Sequence, residues 1–71
     1  MKKVYKIEVD CANCANKIQD AVEKIEGVEA AKINFMLQKL TVTYAEGVDV
    51  KLKLDEIVKL AKKIEPDFVL N

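Results

Sequence analysis

Lys3-Val4-Tyr5-Lys6-Ile7-Glu8-Val9-Asp10-Cys11-Ala12-Asn13-Cys14 is the stretch on which the reading of this chain turns. Its first half alternates, with Tyr5, Ile7 and Val9 on one face and Lys6 and Glu8 on the other, so Lys3–Val9 reads as a half-buried strand. Beyond it, Cys14, Ile18, Ala21, Val22 and Ile25 recur at three- and four-residue steps, and Lys17, Gln19, Asp20, Glu23 and Lys24 fill the gaps. That spacing predicts an amphipathic helix over Ala12–Ile25, with Gly27 where a C-terminal cap belongs. Both cysteines of the protein therefore fall at a strand-to-helix junction, with a carboxylate immediately before the first. Two thiols so spaced can close on one metal ion or on each other.

Downstream, the strand period returns twice. Glu29–Phe35 places Ala31, Ile33 and Phe35 on one side, and Lys39–Tyr44 places Leu40, Val42 and Tyr44 inward. The short link between them implies a hairpin without the usual Asn-Gly signal, which leaves its turn type open. After the loop Ala45–Asp49, Asp49 is a natural N-cap for a second helix with Leu54, Ile57, Val58, Ala61 and Ile64 on its apolar stripe. Pro66 stops that helix, and Asp67–Leu70 reads as a short last strand. Phe35, Met36 and Phe68 read as core or turn packing. The order is β-α-β-β-α-β, two interlocked β-α-β halves. It predicts an α+β, ferredoxin-like fold, a four-stranded antiparallel sheet with both helices on one face. Residues 1–71 are read as a single domain.

Composition narrows the function classes. Twelve basic and twelve acidic side chains balance, and every basic residue is lysine, so no basic excess points to nucleic acid or to an anionic membrane surface. With 51% apolar residues the chain has the material for a core. Two cysteines allow at most one disulfide, too few for a stapled secreted scaffold. No apolar run nears the roughly twenty residues of a membrane span, and no signal-type apolar region follows Met1-Lys2-Lys3. Free thiols then point to a cytoplasmic setting. A domain of this size stands alone or forms one module of a larger protein.

The chemistry of the junction favours thiolates. The unsatisfied N–H groups and positive dipole end at a helix start stabilise negative charge, and the thiolate is the form that binds metal or attacks a disulfide. Converging thiolates suit Cu(I), Zn(II), Cd(II) and Pb(II). Cys11 and Cys14 are the candidate metal ligands, and Asp10 is the third. A divalent ion calls for more ligands and more negative charge than Cu(I), and the carboxylate beside Cys11 offers both. Asp10 could instead serve as the helix cap. Histidine is absent, so further positions fall to water, a carbonyl, another carboxylate or a partner. Such an incomplete set suits delivery better than storage, and an exposed dithiol also allows a metal-bridged dimer of an otherwise monomeric chain.

The element order and the run Asp10-Cys11-Ala12-Asn13-Cys14-Ala15, with Ile25-Glu26-Gly27-Val28, Asn34-Phe35 and Ile64-Glu65-Pro66-Asp67, resemble the heavy-metal-associated domain family. That family includes copper chaperones and the N-terminal domains of metal-transporting P-type ATPases. The resemblance spans Lys2 to Leu70. It implies a non-catalytic module that binds a metal ion and passes it to a transporter's other domains or to a partner's metal site. The Asp-Cys-x-x-Cys form is similar to the zinc, cadmium and lead branch; the copper branch usually carries Thr or Ser at Asp10 and Gly and Met at Glu8 and Val9. Near the second helix end, copper members often place Gly with Tyr, Phe or Lys, whereas Glu65-Pro66-Asp67 stands here, which makes Glu65 and Asp67 secondary ligand candidates. A copper(I) chaperone is the nearest alternative. A thioredoxin-like oxidoreductase, with Cys11 attacking and Cys14 resolving, is the alternative from another class. Against it stand the element order after the first helix and the position of the sole proline, Pro66.

Overall fold

The computed structural model describes residues 1–71. Its elements are β1 (Lys2–Glu8), α1 (Ala12–Glu23), β2 (Val28–Asn34), β3 (Lys39–Tyr44), α2 (Val50–Ile64) and β4 (Val69–Leu70). The strands form one antiparallel sheet in the order β2-β3-β1-β4. This is the ferredoxin-like α+β arrangement expected from the alternation of strand and helix periods, and it is not the element order of a thioredoxin fold.

The inward face of the sheet and the apolar stripes of both helices share one core. Ile7, Leu40, Val42, Tyr44 and Phe68 meet Ile18, Val22 and Ile57 there, each 2% exposed or less. Burying such side chains contributes about 1.5–3 kcal/mol each. No polar or charged residue is buried with them. The one polar tip is answered locally, because the hydroxyls of Tyr5 and Tyr44 lie 2.9 Å apart and hydrogen-bond to each other. Burial and that neighbour hold the Tyr44 phenol well above its usual titration range.

Several boundaries differ from the sequence-based expectation, each for a local reason. Helix α1 stops at Glu23, not Ile25. Its last turn tightens, with Lys24 N–H donating to the Ala21 carbonyl and Ile25 N–H to that of Val22, both at 3.1 Å. Lys24 is thus the cap, and Gly27 serves the turn into β2 instead. A bulge between Val28 and Ala30 shifts the phase of β2, so Val28 joins Ala31 in the core although the two differ in parity. Asp49 caps α2 as expected, its Oδ1 accepting from Lys51 N–H at 3.0 Å and Leu52 N–H at 3.3 Å. Phe68 is core and Phe35 packs at its edge, but Met36 is 88% exposed at the tip of the β2–β3 turn.

The antiparallel pairing of Lys6 with Lys39 brings that turn to the end of the sheet where β1 runs into the cysteine loop. The connection from α2 to β4 reaches the same end, because β4 pairs with Ile7 and Glu8. Three connections distant in sequence therefore meet around the thiols.

Candidate metal centre

Strand β1 delivers the chain to the site through Val9, which is 4% exposed and anchors the base of the loop in the core. Val9 is thus buried at the position where the resemblance to the copper branch would place Met. Asp10 follows on a bend and is exposed. Cys11, not Asp10, is the N-cap of α1: its backbone is extended (φ −127°, ψ 121°) and its Sγ accepts from Cys14 N–H at 3.4 Å. The reason is positional. The first helical hydrogen bond runs from Ala15 N–H to the Cys11 carbonyl at 2.9 Å, which puts the cap at Cys11 and leaves the Asp10 carboxylate one residue upstream, facing solvent.

Both thiols are free and half-buried, and they titrate in opposite directions. The Cys14 backbone N–H, together with the Cys14 thiol, holds Cys11 below the ordinary thiol value of 9.0. Donating to Cys11, and facing desolvation and Glu65, Cys14 is pushed up to about 11. The two sulfurs are therefore inequivalent, Cys11 the readier to ionise and Cys14 the readier to hold its proton.

Glu65 is the charged side chain that bears on both sulfurs. It is the C-cap of α2, with extended backbone and its N–H donating to the Ala61 carbonyl at 2.8 Å. Its carbonyl accepts from Phe68 N–H at 3.0 Å, and its carboxylate accepts from Asp67 N–H at 3.1 Å. The residue that faces the thiols is thus tied into the turn on either side. The structure brings Cys11 and Cys14 together and turns Glu65 toward them. Nowhere are three His, Cys, Asp or Glu side chains gathered closely enough to hold an ion among them, so neither Asp10 nor Glu65 completes a preassembled cage.

Sequence reading overlooked Gln38. Its carbonyl accepts from Ile7 N–H at 3.0 Å and its Oε1 from Val9 N–H at 2.7 Å. The missing Gly in the β2–β3 turn was the available signal, since Gln38 occupies the left-handed position (φ 53°) that glycine usually takes.

Comparison with known proteins agrees with this geometry. The family description "Heavy-metal-associated domain" matches residues 4–67. The cadmium, zinc and cobalt-transporting ATPase of Bacillus subtilis is 34% identical over 67 residues, and the copper-exporting P-type ATPase of the same organism is 42% identical over 72. Each alignment covers 93% of this chain and 9% of the relative, so the chain spans under a tenth of the length of these transporters. Among solved structures, the Cu(I)-loaded N-terminal domain of a potential copper-translocating P-type ATPase from Bacillus subtilis superposes with a TM-score of 0.73. It is 35% identical, with 99% of this chain and 82% of that one covered. The CopZ metallochaperone shares the fold at a TM-score of 0.75, with both chains fully covered and 20% identity. By sequence match, strand order and the paired thiols at the head of α1, this chain belongs to the heavy-metal-associated domain family.

Proposed function

We propose that this domain accepts and hands on a soft divalent ion, Zn(II), Cd(II) or Pb(II), as cargo for a P-type efflux ATPase or as a free-standing metallochaperone. Cys11 and Cys14 supply the thiolates and Asp10 a carboxylate. The observation that carries the divalent preference is the acidic surround of the thiols: Glu65 presses negative charge on both sulfurs, and Asp10 adjoins Cys11. Two thiolates already outbalance a monovalent ion, and each further carboxylate adds negative charge that a divalent ion neutralises further than a monovalent one. Asp10 is exposed next to Cys11 and Glu65 bears on both sulfurs, which makes each carboxylate a candidate for the remaining oxygen ligand. Transfer proceeds by ligand exchange, each thiolate yielding in turn to a partner's ligand, and the domain performs no catalysis of its own.

A copper(I) reading draws on the 42% identity to the copper-exporting ATPase. Titration of the reduced protein with Cd(II) tests the main reading. A thiolate-to-Cd absorption band and amide shifts over residues 9–15 are expected, and their absence overturns it. Asp10→Thr and Glu65→Gln then report the third ligand. Losing a true oxygen ligand weakens Cd(II) binding about tenfold or more while Cu(I) binding changes little. Unchanged Cd(II) affinity in both variants removes the basis for the divalent assignment.

A further inference from the structure

Gln38 occupies a costly backbone conformation and puts its backbone carbonyl and both ends of its side-chain amide to use. At φ 53° it lies in the left-handed region, where a side chain with a Cβ pays a steric cost that glycine avoids. Its carbonyl continues the β1–β3 ladder by accepting from Ile7 N–H at 3.0 Å. Beyond that rung β3 has turned away, and the side-chain amide takes over the role of a peptide group. Its Oε1 accepts from Val9 N–H at 2.7 Å, and its Nε2 donates to the Phe35 carbonyl at 2.8 Å. The side chain thus spans from the β2–β3 turn to the residue two before Cys11.

Nothing else in the sheet holds Val9 at that point: β4 pairs only with Ile7 and Glu8, and the register with β3 ends at Lys6. Without Gln38 the Val9 N–H is left beneath the loop with no protein partner, and the chain between Glu8 and the cap at Cys11 gains freedom. A dithiol whose backbone is not fixed pays ordering entropy each time it closes on an ion.

On these contacts we infer that Gln38 is a positioning residue for the metal loop, extending β1 by one side-chain hydrogen bond so that Cys11 is presented ready to bind. The inference rests on Cys11 and Cys14 being the metal site, and its test separates the two. The full reduced chain is loaded with Cd(II), and its release to an excess chelator is timed for wild type, Gln38→Gly, Gln38→Met and Leu37→Asn. Gln38→Gly keeps the left-handed turn and relieves its strain, so it folds; Gln38→Met keeps the side-chain length without hydrogen bonds. Both variants release Cd(II) about threefold to tenfold faster, and the Val9 amide exchanges with solvent faster by a similar factor. Leu37→Asn, at the exposed neighbour in the same turn, releases Cd(II) at the wild-type rate. If both Gln38 variants match wild type in release while their melting temperatures fall, Gln38 is a structural turn residue and the inference fails. If wild type itself takes up no Cd(II), the metal-site reading fails and takes this inference with it.

Discussion

At the scale of single residues, the two cysteines are chemically unequal although they share one loop. Cys11 caps the helix with its sulfur and is held toward the thiolate by the Cys14 N–H. Cys14 is pushed up to about 11 by Cys11, by desolvation and by the negative charge of Glu65. Alkylation with a limiting amount of iodoacetamide at pH 8 is therefore expected to modify Cys11 first, by on the order of tenfold or more, because the thiolate is the nucleophile. Peptide mapping by mass spectrometry reads the ratio; equal labelling contradicts the inequality. Cd(II) or Zn(II) bound beforehand protects both.

At the scale of elements, each helix is started by a side chain that takes over unsatisfied N–H groups, but the two caps serve different ends. In α2, Asp49 accepts from two amides and does nothing else visible in the structure. Asp49→Ala is expected to cost about 1 kcal/mol, read as a lower urea midpoint at an unchanged slope, with Cd(II) affinity unaltered. In α1 the cap is Cys11, the proposed metal ligand, whose Sγ accepts from Cys14 N–H at 3.4 Å. The turn from α1 into β2 shows what a true glycine requirement looks like. Gly27 has φ 93°, and a Cβ there would lie 2.9 Å from Lys53 Cε and 3.0 Å from Val48 Cγ1. Gln38 adopts its positive φ without that excuse, which is why its side-chain bonds carry weight.

At the scale of the whole molecule, the antiparallel pairing gathers the cysteine loop, the β2–β3 turn and the α2–β4 connection at one end. The site's charge is therefore a property of the assembled end. Its pH dependence has a definite sign. Near neutral pH the ion displaces at least the proton of Cys14, whose titration lies at about 11. Affinity is therefore expected to rise with pH by about tenfold per unit or more, toward two protons per ion below the Cys11 titration. Cd(II) binding measured by competition between pH 6 and 8, with chelator protonation corrected, checks this; a flat profile contradicts displacement of a thiol proton. No helix is long and apolar enough to cross a membrane, so if this domain serves a transporter, the span belongs to another part of that protein.

Much of this was legible in the residue order, because strand and helix periods are local signals. Alternation in Lys3–Val9, Glu29–Phe35 and Lys39–Tyr44, and the three- and four-step stripes between and after them, sufficed for the element order and the sheet. The two-residue spacer between Cys11 and Cys14 likewise put both sulfurs at a helix start. Boundaries slipped where backbone hydrogen bonding overrode side-chain periodicity, at the tightened end of α1 and at the bulge in β2. The surroundings of the thiols were decided only by tertiary contact. Val9 and Gln38 are 29 positions apart, and Glu65, from the α2–β4 connection, bears electrostatically on both sulfurs. Which carboxylate faces the sulfurs, and which side chain steadies the loop, depends on how the two β-α-β halves interlock, and no local pattern encodes that.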